Sequence, residues 1–143
     1  MIIPVITGDI REVSTSVLAY VGDAVFELYV RLHVASRQIS KSGMLHKQAI
    51  MLVKAQAQAN AVRVLMPEMT EDETMIFRRA KNSNPVSMAK NASPSDYKYA
   101  TGLEAVIGYL YLTDQQERLD YVLQRIILIE NAIEKGEIDV HGS

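Results

Sequence analysis

Two stretches of this chain are apolar on nearly every side of a helix, and each carries an acid inside the run. The first is Val17-Leu18-Ala19-Tyr20-Val21-Gly22-Asp23-Ala24-Val25-Phe26-Glu27-Leu28-Tyr29-Val30. The second is Tyr99-Ala100-Thr101-Gly102-Leu103-Glu104-Ala105-Val106-Ile107-Gly108-Tyr109-Leu110-Tyr111-Leu112. A helix apolar all round belongs in a core, so the pair commits the chain to a helical fold with both segments central. A carboxylate buried alone is costly and protonates, pairs or binds a metal. Neither run contains a Lys or Arg to serve as partner. Asp23 and Glu104 therefore read as two halves of one divalent-cation site. A buried ion pair with a base from elsewhere is the alternative.

The rest of the chain is consistent with an all-α fold of about six or seven helices. The first helix starts between Glu12 and Ser14, where Ser14 or Thr15 can cap it, and runs to about Ser36. Ser40-Lys41-Ser42-Gly43 is a break. A long helix is expected from about Met44 to Leu65, closed by Pro67. Thr70 and Glu73 have the spacing of a capping box and open a shorter helix through about Lys81. Asn82 to Pro94 is a loop rich in Asn, Ser and Pro. The second apolar helix is expected from about Asp96 to Leu112. Thr113-Asp114-Gln115-Gln116 reads as another capping box, before a last helix with Leu119, Val122, Leu123, Ile126, Ile127 and Ile133 on one face. Residues after Lys135 are expected to fray. At 143 residues the chain is expected to form a single domain, 1–143, large enough for a real core.

Composition excludes some classes. There is no Cys, which rules out disulfides and thiolate metal sites. The N-terminus lacks a basic signal-peptide region, and no apolar run reaches the roughly 18 residues of a membrane span. A cytoplasmic protein with no membrane partner is expected. The net charge is only −2, but residues 28–98 hold eleven Lys and Arg against five acids. From Leu28 to Pro67 there is no acid. Such a basic middle on an acidic protein points to a polyanion surface, with local fluctuation of solvated charge as the plain alternative.

Carboxylate oxygens from separate helices are what Mg²⁺ needs, because the ion keeps several waters and takes few protein ligands. Gly22, Gly102 and Gly108 lie near the two acids, and small residues permit close helix approach. Each costs about 0.5–1 kcal/mol against Ala in a helix, so three of them need a reason. Glu27, four residues after Asp23, is a further ligand, an outer partner of the site, or the i,i+4 partner of Arg31. Arg78, Arg79, Lys81 and Asn82 end one helix, and Lys90 and Asn91 lie in the long loop after it, with Lys98 following. These are candidate contacts to a polyanion; the alternative is a solvated helix end with cations on its C-terminal dipole. Lys41, Ser42, His46 and Lys47 form a weaker patch. His46 has no carboxylate or nucleophile near it in sequence and is not read as a base.

The segment Tyr20-Val21-Gly22-Asp23-Ala24-Val25-Phe26-Glu27 resembles the signature of ribonuclease III catalytic domains, Phe-Leu-Gly-Asp-Ala-Val-x-Glu. The segment from Ala100 to Leu112 resembles that family's second motif, Ala-Asp-Ala-Phe-Glu-Ala-Val-Ile-Gly-Ala-Ile-Tyr-Leu. Two motifs in order make a specific match, where a lone Gly-Asp-Ala would be weak. No double-stranded-RNA-binding domain is expected behind the second motif, a pattern similar to the Mini-ribonuclease III branch. Val53-Lys54-Ala55-Gln56-Ala57 and Arg78-Arg79-Ala80-Lys81-Asn82 also look like that branch. Ordinary members carry Glu at the positions of Ser16 and Ala19 and Asp at Thr101, so only Asp23 and Glu104 are carried over as catalytic and metal-binding. The resemblance implies a Mg²⁺-dependent endoribonuclease, with Mn²⁺ able to substitute, cutting double-stranded RNA to leave 5′-phosphate and 3′-hydroxyl ends. It further implies a homodimer in which each subunit cuts one strand. For the branch it implies maturation of the ends of 23S ribosomal RNA precursor, with a ribosomal protein as a helper partner. A non-catalytic double-stranded-RNA-binding ribosome-assembly module on the same fold, and a helical dimerisation domain without RNA, are the competing readings.

Overall fold

A computed structural model of the chain describes residues 3–37, 42–83 and 93–139. Among these residues there are six α-helices and no strand: α1 Thr15–Ser36, α2 Ser42–Val53, α3 Ala55–Leu65, α4 Glu71–Lys81, α5 Pro94–Leu112 and α6 Gln116–Glu134. Short 3₁₀ turns, Ile10–Glu12 and Met66–Glu68, precede α1 and follow α3. No helix is long and apolar enough to cross a membrane among the described residues.

Helix α5 is the axis of the fold. It packs against α1, α3, α4 and α6, and Leu103, Ala105, Val106, Ile107 and Leu110 are all buried. The prediction of all-round burial holds for most of this helix, though Tyr111 near its end is exposed. It does not hold for α1, which buries Leu18, Gly22, Phe26, Val30 and Val34 but leaves Tyr20 73%, Leu28 61% and Leu32 61% exposed. Helix α1 is thus apolar on two faces, and only one of them is covered within the chain.

Glycine sets the separation of α1 and α5. A Cβ on Gly22 would lie 1.7 Å from the Glu104 carbonyl oxygen, and one on Gly108 would lie 1.9 Å from that of Leu18. The helices therefore cross backbone to backbone. Gly102 has a different neighbour, since its Cβ would fall 2.5 Å from the Phe77 ring on α4.

Three local expectations are corrected. The long helix from Met44 to Leu65 is two helices, broken at Lys54, whose ψ of 150° is extended. Nothing as overt as Gly or Pro marks the break. The competing demand is tertiary: α2 packs on α1, whereas α3 packs on α5 and α6, and one straight rod does not serve both. The second correction concerns Thr113 to Gln116, which form no capping box. Asp114 takes a left-handed φ of 56°, its N–H donates to Tyr111 C=O, and the Gln115 N–H donates to Leu110 C=O. That pairing terminates α5 by satisfying its last carbonyls. The third is the expected fraying after Lys135, which does not hold for residues 136–139, while residues 140–143 lie outside the described residues. Gly136, at φ 76°, closes α6 by the same pairing, and Ile138 packs against the core.

The N-termini of α1 and α4 follow the sequence signals, whereas α5 begins at Pro94, two residues before the expected Asp96. Ser14 caps α1, Ser93 caps α5, and Thr70 with Glu73 forms the capping box of α4. Glu73 is buried and also accepts from Arg118 on α6 at 2.8 and 2.9 Å, with Arg118 donating to Glu68 C=O at 2.7 Å. Glu68 in turn pairs with Arg125 at 2.6 Å and accepts from Tyr121. This network anchors the start of α4 to α6.

Candidate functional site

Asp23 stands one residue beyond Gly22, and the backbone carbonyl meeting Gly22 is that of Glu104. The glycine crossing thus brings the two acids together. Both line one cavity of about 220 Å³ between α1, α4 and α5. Their side chains are within hydrogen-bonding reach of each other, and Glu104 is also in reach of Gln58 on α3. Burial, and then the Asp23 carboxylate opposite, push the Glu104 carboxyl up to about 9, with Gln58 acting weakly against them. Asp23, expected to be buried, faces solvent, and only Glu104 sits deep enough for burial to matter. The acids converge because the helices cross, and not because both are sequestered.

The cavity wall explains what the acids lack. Ser16 and Ala19 on α1 and Thr101 on α5 face the same space, so these are positions where a side chain addresses the site. They supply two hydroxyls and a methyl where acids would give further anionic ligands. No cluster of three or more His, Cys, Asp or Glu side chains suited to a metal occurs among the described residues. Two carboxylates with hydroxyls beside them fit a hard, oxygen-seeking divalent cation that keeps much of its water, and do not fit a softer metal that wants nitrogen or sulfur.

Cations border the acids. Lys81 at the end of α4 and Lys98 in the second turn of α5 both line the cavity. Lys81 lies 5.2 Å from the Tyr99 ring centroid, and Arg63 packs on the same ring at 4.4 Å while pairing with Asp96 at 3.1 Å. Arg78 and Arg79 are exposed on α4 but do not line the cavity, and Asn82 is the exposed C-cap. The basic end of α4 is thus a surface running up to the cavity, with Lys81 as its inner member. Lys90 and Asn91 lie outside the described residues, as does Lys41 of the weaker patch.

Glu27 does not join the acids. It accepts from Arg31 at 2.7 Å one turn along α1 and is absent from the cavity wall. Lys98, read from the sequence only as part of a basic run, lines the cavity; Tyr20 and Tyr97 on the same wall, and Gln58 behind Glu104, were given no role by the sequence. Spacing on α5 could have found Lys98 and Tyr97, three and four residues before Thr101. For Gln58 no signal existed, because its proximity to Glu104 depends on the break at Lys54.

Comparison with known proteins gives a consistent result. The family profile described as "Ribonuclease III domain" matches residues 16–115. A protein named Mini-ribonuclease 3 from Clostridium tetani is 39% identical over 136 residues, covering 94% of this chain and 90% of its own length. Its namesake from Symbiobacterium thermophilum is 42% identical over 120 residues, covering 84% and 90%. A crystal structure of a Fusobacterium nucleatum protein superposes with a TM-score of 0.78 at 31% identity, covering 85% of this chain and 98% of that one.

Proposed function

The chain belongs to the ribonuclease III family, among its Mini-ribonuclease 3 members, and on that premise we propose that this endoribonuclease hydrolyses duplex RNA at the α1–α5 cavity. The observation that carries the proposal is the convergence of Asp23 and Glu104 on one wall, with Lys81 and Lys98 on the same space. Asp23 and Glu104 hold Mg²⁺, and Mn²⁺ is accepted in its place. Such a cation activates water and neutralises charge on phosphate, the role divalent ions play in phosphodiester hydrolysis.

The protein's own contribution is placement. Asp23 presents its carboxylate from the solvent side of the cavity, where the backbone of a duplex arrives. Glu104 presents its carboxyl from the deeper side, held by the helix crossing. Lys81 and Lys98 meet the phosphates flanking the cut, and Arg78, Arg79 and Asn82 extend the contact along α4. A-form RNA offers chiefly phosphates and 2′-hydroxyls to such a surface, so recognition follows backbone geometry more than base identity. The ends left are a 5′-phosphate and a 3′-hydroxyl.

The substrate we propose is the stem that flanks the ends of large-subunit ribosomal RNA precursor, cut in the cytosol by a homodimer, one strand per subunit. The exposed face of α1, with Tyr20, Leu28 and Leu32, supports the dimer, because an uncovered apolar stripe of that kind marks an association surface. The test is to incubate the protein with duplex RNA and with a precursor stem in Mg²⁺ and in EDTA, scoring cleavage, end chemistry and retention. Cation-dependent cuts on both strands are expected. Retention without cleavage under any cation would leave a binding module instead.

A further inference from the structure

The described residues bury only three polar or charged residues, and two are engaged differently from the third: Glu73 is fully bonded, while Glu130 and Gln58 each leave buried oxygen without a donor. Gln58 is 3% exposed, on the side of α3 that packs on α5. Its Nε2 donates to the Val53 carbonyl at 2.6 Å, the last carbonyl of α2, freed by the break at Lys54. Its Oε1 is buried and accepts nothing. The same amide lies within hydrogen-bonding reach of the Glu104 carboxyl. A buried amide oxygen without a donor costs stability that a Met or Leu of similar length would avoid.

We propose that Gln58 is a positioning residue for the cation site: its amide nitrogen is tied to the Val53 carbonyl of α2 and donates to the Glu104 carboxyl, and its buried oxygen is left to accept from the water that a hydrated cation brings. This rests on the reading of Asp23 and Glu104 as cation ligands. Its physical logic is that ligands are held by partners behind them, and that loss of such a partner weakens metal binding without removing a ligand. It also gives the break at Lys54 a use. In an unbroken helix the Val53 carbonyl would be occupied by a backbone N–H, and nothing would tie down the nitrogen of Gln58.

The experiment compares wild type, Gln58→Met and Asp23→Asn by calorimetric titration with Mn²⁺ and Mg²⁺ without RNA, together with thermal melting. Gln58→Met keeps the volume and is expected to lose about 10–100-fold in cation affinity while melting as one cooperative unit. Cleavage by that variant should recover at high cation concentration, with KM for RNA unchanged. A purely structural role predicts the reverse, a lower Tm at unchanged cation affinity, and that result overturns the proposal. Asp23→Asn separates the two claims. If it loses the cation while Gln58→Met binds like wild type, the role of Gln58 falls and the site stands. If Asp23→Asn binds like wild type, the site is elsewhere and both fall. Should Gln58→Met fail to fold, the side-chain amide resonances of Gln58 in ¹⁵N-labelled wild type provide the readout. They are expected to move with Mg²⁺ at the midpoint of the calorimetric titration, and resonances that stay fixed reject the proposal.

Discussion

Glu104 keeps a proton to about pH 9 because burial penalises its charge and Asp23 faces it. A carboxyl raised in the folded state contributes stability that is complete below its ordinary range, near 4.5, and declines as pH rises toward 9. Asp23→Asn removes the second of those causes. In metal-free buffer at pH 8 the variant should melt at or above the wild-type temperature, yet cleave duplex RNA at least 100-fold more slowly. Glu104→Gln should be comparably slow, and the double variant little slower than either single, because groups sharing one cation fail together. Single-turnover rates over the set check this, and additive losses would indicate separate sites. Glu130 is a second raised carboxyl, at about 8, pushed up by burial and drawn back by Lys54. Neither of its oxygens has a hydrogen-bond partner among the described residues. Its stability contribution is full near pH 4.5 and lost as pH climbs to about 8. Glu130→Gln should therefore raise Tm at pH 8–9, by up to a few kcal/mol in stability, with little gain at pH 4–5. Melting curves across that range decide it, and a gain independent of pH would assign the effect to packing.

At the scale of helices, the clearest test is the crossing of α1 and α5. A methyl on Gly22 would sit 1.7 Å from a carbonyl oxygen, and backbone cannot yield as a flexible side chain does. Gly22→Ala should destabilise by about 2 kcal/mol or more, the penalty range of overpacking, and lower activity beyond what unfolding explains. Denaturant titration beside rates on the folded fraction measures both. Gly43, whose Cβ would meet nothing within 4 Å among the described residues, should accept Ala freely. The basic end of α4 gives another prediction. Changing Arg78, Arg79 and Lys81 to Ala should weaken duplex binding and flatten the salt dependence by roughly one unit of slope per lost phosphate contact. Titration of several duplexes at two salt concentrations checks this, and sequence-independent losses are expected. Helix caps were legible in the sequence because capping is local: Ser14, Thr70 and Glu73 act within one turn. The break at Lys54 was not, because it answers to α1, α5 and α6, which lie elsewhere in the chain. The misreading of Thr113 to Gln116 has the same character. The residues permit a cap for the following helix, but the backbone spends the turn ending the preceding one.

For the whole molecule, the apolar face of α1 is the feature that one chain leaves uncovered. If the proposed homodimer uses this face, Leu28→Glu with Leu32→Glu should convert it to a monomer, read by light scattering after size exclusion, and should lower double-strand cutting more than nicking. An unchanged mass would move the association surface elsewhere. The candidate site was half legible in the sequence. Asp23 and Glu104 stand out because an acid inside an apolar run is anomalous wherever it ends up. Lys81 and Lys98 stood out only as part of a basic run, not as neighbours of the acids, and Gln58 did not stand out at all, since a Gln on a helix is ordinary until other helices place it beside a carboxyl. One consequence follows from the meeting of Gly22 with the Glu104 carbonyl. The spacing of the two acids and the fit of the central helices are one dimension of the molecule, so neither can drift alone. Substitutions that fatten the core to raise heat tolerance should cost turnover even far from the cleft. Adaptation to a warmer habitat would then have to proceed at the periphery, through charges and helix ends.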